Sequence, residues 1–480
     1  MNKLSVIIIA KNEQVRIKTA LNSVKWADEI IVVDSESTDA TVRTAKEFTD
    51  KVYLRKFDDF SSQKNFAISK CTNDWVFSLD CDEVVTEQLK NSIDEAINNP
   101  KGFCAFKAER INRLFGKVLK NATKGDFPTR LFLKNKAHFI QPIHEFLDVN
   151  GNVGLLKGQL LHNTTENIKS EFDKTDSYTE LEARWVLERN IRPAYFKILF
   201  YPLWTFFNIY FLKKGFLDGS AGFLFAWVSA RYTFIKYLKA KKLSRNKKYL
   251  EELISKRFNK LSKNFPDSID DSDLRLSKLI DALSPFQDKL VLEIGCGKGR
   301  FTNSINEKGA KCIGSDITIN FLKDALMKNK GDFVMSSATA LSFKPHSFDK
   351  AFAVEVIEHI TDLEKCVKET ATLLNENGSF VIIDRNILSL NNRRLFVPNL
   401  IIKKYHELKN DWMYPRGFPY TERWFLKSKV LNLLRKYFSE VQAEYIISDS
   451  EKKSKTAFIF KNIPITRHFI LWKASRPKQS

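Results

Sequence analysis

Short β-branched runs alternate with helical patterns twice along this chain, once before Pro193 and again after Asp273. In the first stretch Leu4–Ala10, Glu29–Asp34, Val52–Arg55 and Trp75–Leu79 read as strands, with helices starting near Gln14, Thr38, Ser61 and Thr86. In the second, Lys289–Ile294, Lys311–Asp316, Asp332–Met335, Asp349–Val354 and Ser379–Ile383 read the same way. Alternation at this spacing predicts parallel strands joined by crossover helices, and therefore two doubly wound α/β domains. Ligands of such sheets bind at the carboxyl ends of the strands. In the first stretch those ends carry Lys11-Asn12-Glu13, Asp34-Ser35-Glu36-Ser37-Thr38-Asp39 and Asp80-Cys81-Asp82-Glu83.

The segment between the alternations has another composition. Leu199–Leu212 and Phe216–Ala230 are apolar and aromatic, but each is too short or too interrupted for the roughly 18 apolar residues of a spanning helix. Arg231–Lys263 then carries twelve basic residues against Glu251 and Glu252. An apolar aromatic pair followed by a basic helix suits the surface of an anionic membrane, the alternative being a buried hairpin with a solvated linker. The expected division is residues 1–192, a joining helical segment 193–265, and residues 266–480.

A net charge of +21 favours phosphorylated, anionic-lipid or nucleic-acid partners. No ordered nucleic-acid-binding motif accompanies it, so nucleic acid is not an expected partner. The six cysteines stand singly, which argues against a disulfide framework or zinc site and for a reducing, cytosolic compartment. The apolar run at the N-terminus is strand-sized and lacks a cleavage site.

Asp80 and Asp82, two positions apart at a strand end, point the same way. Paired carboxylates with open coordination suit Mg²⁺ or Mn²⁺ shared with a diphosphate, although an isolated pair also serves as a simple turn. His162 either approaches such a metal or is structural, and Arg130 meets either phosphate or water.

The segments Ser5–Glu13, Trp26–Thr41, Phe60–Asn65 and Leu79–Glu83 follow the order and spacing of glycosyltransferase family 2. Residues 1–240 resemble its lipopolysaccharide-core glucosyltransferase-like branch. The resemblance implies a GT-A fold, a nucleotide-sugar donor, a divalent cation and inversion at the anomeric carbon. It places Glu13 and Asp34 at the nucleobase, Gln63, Lys64 and Asn65 around the donor, Asp80 at the ribose or metal, and Asp82 as metal ligand. The catalytic base it implies is Glu145, within Gln141-Pro142-Ile143-His144-Glu145. The aromatic tract 196–242 also fits this branch and implies an acceptor at the membrane interface.

In the second alternation Glu293-Ile294-Gly295-Cys296-Gly297-Lys298-Gly299 sets a glycine-rich turn between a strand and a helix. Asp316 ends the next strand, where an acid can accept both ribose hydroxyls. With Glu355-Val356-Ile357-Glu358-His359 and Leu373–Ser379, residues 275–480 resemble class I S-adenosylmethionine-dependent methyltransferases of the small-molecule, ubiquinone-biosynthesis-like type. The resemblance implies Glu293, Gly295, Gly297 and Gly299 about the methionine part, Asp316 on the ribose, and Ser337 and Ala338 beside the adenine. Glu355 would line the pocket and His359 is a candidate methyl-transfer base. Many relatives carry an acid where Ser337 stands. The tail from Pro415 reads as an acceptor lid with strands at Val441–Ser448 and Thr456–Lys461.

These features predict a bifunctional enzyme of lipopolysaccharide or cell-surface polysaccharide assembly, peripheral at the cytoplasmic face of the membrane. One half would transfer a sugar, with inversion and a metal, to a lipid-linked or glycan acceptor. The other would methylate, at oxygen, from S-adenosylmethionine. The alternatives are a chain with one inactive half serving as a binding module, and a nucleic-acid-modifying methyltransferase.

Overall fold

The computed structural model describes residues 2–114, 116–140, 146–165, 168–328, 331–390, 397–446 and 467–478. Its first strands and helices are β1 (Leu4–Ala10), α1 (Ile17–Ser23), β2 (Glu29–Asp34), α2 (Thr41–Ala45), β3 (Val52–Leu54), α3 (Phe60–Ser69), β4 (Trp75–Asp80), β5 (Glu83–Val85) and α4 (Glu87–Asn98). Then come β6 (Ala105–Leu114), β7 (Lys117–Val118), β8 (Thr129–Leu133), β9 (Ala137–Ile140), β10 (Phe146–Val149), β11 (Val153–Thr165), α5 (Ile168–Glu188), α6 (Tyr195–Phe207) and α7 (Gly219–Leu243). The remainder is α8 (Lys247–Leu261), α9 (Leu274–Leu283), β12 (Leu290–Ile294), α10 (Arg300–Glu307), β13 (Lys311–Asp316), α11 (Ile319–Lys328), β14 (Asp332–Met335), β15 (Phe348–Val354), α12 (Leu363–Leu373), β16 (Leu374–Arg385), α13 (Asn399–Lys409), α14 (Lys427–Tyr437), β17 (Phe438–Tyr445) and β18 (Phe469–Pro477). The chain divides into two compact units, Met1–Trp185 with Pro193–Ala240, and Val186–Arg192 with Lys241–Ser480.

The sheet of the first unit runs β3-β2-β1-β4-β8-β6-β11-β5, with β7 on β6. Its first four strands are parallel, as the alternation predicts. Val6, Ile8, Val32, Phe77 and Leu79 face α1 and α4 on one side, and Ile7, Ile31, Val33 and Val76 face α3 on the other. Burial on both faces explains the unbroken apolar runs. Beyond β4 the sheet is mixed, since β8 pairs antiparallel with β4 and with β6. The sequence pattern did not reveal these strands, because β6 interleaves Lys107, Glu109, Arg110, Asn112 and Arg113 with its apolar residues.

The aromatic tract of this unit is α6, with Pro202 inside it, a π-helical turn at Asn208–Leu212, and α7. Asp218 does more than interrupt an apolar run. Its carboxylate accepts the backbone N–H groups of Asn121 and Ala122 at 2.9 and 2.8 Å, which fastens the turn before α7 to the 119–122 loop. No helix among the described residues is long and apolar enough to cross a membrane.

The second unit has the sheet order β14-β13-β12-β15-β16-β18-β17. Five strands are parallel, and β18 runs antiparallel to both its neighbours. β17 covers most of the strand expected at 441–448. The strand expected at 456–461 lies outside the described residues, and the structure adds β18, whose Trp472 is fully buried in the core. α8 belongs to this unit, with Tyr249, Leu250, Leu253, Ile254 and Phe258 buried. Its apolar face is therefore not free for a membrane, and Lys247 and Lys256 pair with Asp362 and Glu188. Within the segment, large exposed apolar side chains lie on α6, on α7 and in the turn between them, and none on α8 among the described residues. All six cysteines are free and buried.

Candidate functional site

In the first unit the carboxyl ends of β1, β2 and β4 converge, as the sheet topology requires. Asn12, in the left-handed region at φ 54°, donates its N–H to the Ser37 hydroxyl at 2.8 Å and accepts from the Thr38 N–H at 2.9 Å. Ser37 in turn donates to the buried Asp34 carboxylate from its hydroxyl, at 2.5 Å, and from its N–H, at 2.8 Å. Glu13 lies 3.5 Å from Arg16, whose guanidinium also stands 4.0 Å from Asp82. Glu13, Asp34 and Asp82 thus share one edge.

The Gln63-Lys64-Asn65 triplet, expected around the donor, is engaged by protein groups. Gln63 is fully buried and donates to the Ser35 hydroxyl at 2.8 Å. Asn65 donates to the Phe139 carbonyl and accepts the Phe139 N–H, which ties α3 to β9. Lys64, 1% exposed, donates to Asp80 at 2.9 Å. Arg130, expected to meet phosphate or water, is buried against two acids. Only 5% exposed, it sits 2.6 Å from Asp80 and 2.5 Å from Glu83, and Arg110 adds a contact of 3.3 Å to Glu83. Burial raises the Asp80 carboxyl, but Arg130 and Lys64 outweigh it and hold the group well below the usual carboxylate range. Burial and the neighbouring Asp80 raise Glu83 instead.

That clamp leaves Asp82 as the carboxylate of the pair with room for a cation. His162, left open by the sequence, comes within 3.4 Å of it through Nε2. The other ring nitrogen lies 2.6 Å from Asn112 Oδ1, while Asn112 Nδ2 donates to Asp126 at 3.2 Å. An acceptor opposite Nδ1 keeps the proton there, so Nε2 turns a lone pair toward Asp82. A carboxylate and an imidazole lone pair facing each other are the oxygen and nitrogen donors that Mn²⁺ or Mg²⁺ accepts beside a diphosphate, so these residues fit the implied cation. Glu145, with Gln141 to His144, lies outside the described residues.

In the second unit a cavity of about 250 Å³ opens at the ends of β12, β13 and β15. Gly295 (φ 71°) turns the chain so tightly that a Cβ there would stand 2.5 Å from a Val356 methyl. Asp316, 9% exposed, accepts the N–H groups of Gly297 at 2.9 Å and Thr318 at 2.7 Å, so the glycine turn and the acid are locked together. Ala338 lines the cavity, and Glu355 pairs with Arg275 and, at 3.0 Å, with Arg385. The small glycine turn, the fixed acid and the cavity fit S-adenosylmethionine.

His359 lines the cavity, with its side chain 15% exposed. The ring lies 3.1 Å from the Tyr414 hydroxyl through Nδ1, and burial pushes its pKa down to about 3. The ring is therefore neutral at neutral pH and a weak base at that position. Glu358, from the same motif, and Glu422, which the sequence did not single out, each bring a carboxylate oxygen within 4.8 Å of it. Glu422 comes from the C-terminal tail, and no spacing marks it in advance.

Glu293 is 2% exposed, accepts the Thr302 hydroxyl, and is pushed up to about 8 by burial. The folded unit keeps a proton that the unfolded chain releases near 4.5. Its stabilising share is complete below about 4.5 and is lost as pH rises through about 8. The melting temperature of this unit is expected to fall across that window, and Glu293→Gln is expected to flatten the fall; parallel profiles from differential scanning calorimetry would contradict this.

Residues 5–147 match the family described as Glycosyl transferase family 2, and residues 292–382 the one described as Methyltransferase domain. An uncharacterized glycosyltransferase of Rickettsia typhi is 31% identical over 265 residues, covering 51% of this chain and 88% of that protein. The lipopolysaccharide core biosynthesis glycosyltransferase LpsC of Rhizobium meliloti is 28% identical over 242 residues, covering 48% and 89%. A solved S-adenosylmethionine-dependent methyltransferase from Mesorhizobium loti covers 43% of this chain and 99% of its own, at 17% identity and a TM-score of 0.34. With acids gathered at the strand ends of one unit and a glycine turn locked to Asp316 in the other, the chain belongs to glycosyltransferase family 2 through its first half and carries a class I S-adenosylmethionine-dependent methyltransferase domain in its second.

Proposed function

We propose that this chain is a bifunctional enzyme of cell-surface glycan assembly. Its first unit transfers a sugar from a nucleotide-sugar donor, with inversion, to a lipid-linked or glycan acceptor, and its second methylates a hydroxyl. The observation that carries the first activity is the Asp82–His162 pair, two ligand atoms facing each other at 3.4 Å. A divalent cation held there would neutralise the leaving diphosphate. Glu13 and Asp34 hold the nucleobase end, and the Arg130–Lys64 clamp keeps Asp80 ionised and fixed beside the ribose. Glu145 takes the proton of the attacking acceptor hydroxyl. In the second unit alignment does most of the work, since displacement at a sulfonium needs no strong base. The likeness to LpsC supports a lipopolysaccharide-type acceptor, and six unpaired cysteines suit the cytoplasmic face. The test is a screen of nucleotide-sugars for nucleoside diphosphate release, with glycolipid acceptors and with Mn²⁺, Mg²⁺ or chelator. Release that needs the cation is expected; release unchanged in chelator would overturn the metal assignment.

An acceptor in the membrane surface is supported by α6. Phe196, Leu199, Phe200, Leu203, Trp204 and Phe207 recur at helical spacing and are 45–66% exposed, an apolar stripe with no cover among the described residues of its unit. Burying two such side chains is worth about 3 kcal/mol or more. The double variant Leu203→Asp, Trp204→Asp is therefore expected to weaken flotation with anionic phospholipid vesicles roughly a hundredfold. Unchanged flotation would remove α6 from the membrane contact.

A further inference from the structure

We propose that Glu251, from α8, reads the amino group of the adenine of S-adenosylmethionine. The position after β14 where many relatives carry an acid holds Ser337, which as a hydroxyl cannot supply a carboxylate. The structure brings one from elsewhere. Glu251 lines the cavity, and its Oε2 accepts the Ser337 hydroxyl at 2.9 Å. Its Oε1 accepts the hydroxyls of Thr339 and Thr361, each at 2.8 Å. Ser337 also accepts the Thr339 N–H at 3.1 Å and stands 3.0 Å from the Thr339 hydroxyl, which ties the cluster together around Glu251. Three hydroxyls from two loops thus aim one carboxylate.

A carboxylate accepts about four hydrogen bonds. Three are used, and the open lone pair belongs to Oε2, on the Ser337 side. From Asp316, the ribose acid, the cavity lining continues through Ile317 to Ser336, Ser337 and Ala338, and it includes the apolar Ile254, Phe258 and Phe321. Apolar walls suit a flat purine, and a carboxylate oxygen with an open lone pair beside Ser337 suits its exocyclic N–H. α8 lies outside residues 292–382, so this contact comes from a segment that the methyltransferase match does not include.

The inference rests on the second unit binding S-adenosylmethionine, and the experiment separates the two. Titration calorimetry compares S-adenosylhomocysteine with S-inosylhomocysteine, whose base presents a carbonyl oxygen in place of the amino group. A carboxylate repels that oxygen, so the unaltered chain is expected to prefer the adenosyl compound by about 30-fold or more. Glu251→Gln offers an amide donor and is expected to bring the two within about 3-fold. Glu251→Asp keeps the charge but withdraws it, and is expected to weaken adenosyl binding while keeping the preference. S-inosylhomocysteine binding by the Gln variant also shows that its pocket is folded. A preference unchanged in both variants would overturn the role of Glu251 alone; no binding of either compound by the unaltered chain would overturn the cofactor reading with it.

Discussion

Arg130→Ala is expected to destabilise the first unit by about 3–5 kcal/mol, because removing one partner of a buried ion pair leaves uncompensated charge. Arg130 faces Asp80 and Glu83 at once, so its loss strands two carboxylates, one of them fully buried. Lys64 continues to hold Asp80, but Glu83 keeps only the Asp80 backbone N–H at 3.1 Å and the longer contact to Arg110 at 3.3 Å. The effect should be local. Hydrogen exchange in 75–85, which holds β4 and β5, is expected to quicken by two orders of magnitude or more, about 1.4 kcal/mol being tenfold, while 290–316 in the second unit is unaffected. Arg130→Lys should recover part of the loss, since one ammonium replaces a fork that meets two acids. Equal protection in Arg130→Ala and the unaltered chain would show that the clamp contributes nothing to stability.

The second large effect concerns chemistry. Asp82→Asn preserves shape and removes the charge that faces His162 Nε2. Donor turnover is expected to fall at least a hundredfold, consistent with the loss of a ligand that orients a cation against a leaving diphosphate. Asp80→Asn should behave differently. It unbalances Lys64 and Arg130, so it is expected to cost stability as well as turnover, whereas Asp82→Asn should leave the melting curve close to that of the unaltered chain. Steady-state rates beside calorimetric melts distinguish the two. Similar melts for both variants would contradict the division of labour between the acids.

Much of this architecture was legible because parallel strands buried on both faces leave continuous apolar runs. β1, β2, β4, β12, β13, β15 and β16 announce themselves that way, and the acids and glycines at their ends mark where chemistry collects. The strands of the mixed part of the sheet, β6, β8 and β11, were hidden because half-buried strands mix polar and apolar residues. The roles of Arg130 and His162 were hidden for the same reason: each stands on such a strand and meets its partner only through sheet register, His162 lying opposite Glu83 on β5. Glu251 was counted as a stray acid in a basic run, since nothing local links α8 to Ser337, 86 residues away. The basic run itself misled in part. Periodicity shows that α8 is amphipathic, but not whether its apolar face meets lipid or its own unit.

The most direct test of two working transferase units in one chain uses a single purified preparation. Binding of S-adenosylhomocysteine is titrated by calorimetry, and nucleoside diphosphate release is measured with Mn²⁺, for the unaltered chain and for Asp82→Asn. The expected result is one saturable S-adenosylhomocysteine site per chain in both proteins, and cation-dependent release in the unaltered chain alone. Absence of release with every nucleotide-sugar and glycolipid acceptor, or release that Asp82→Asn leaves intact, would contradict it.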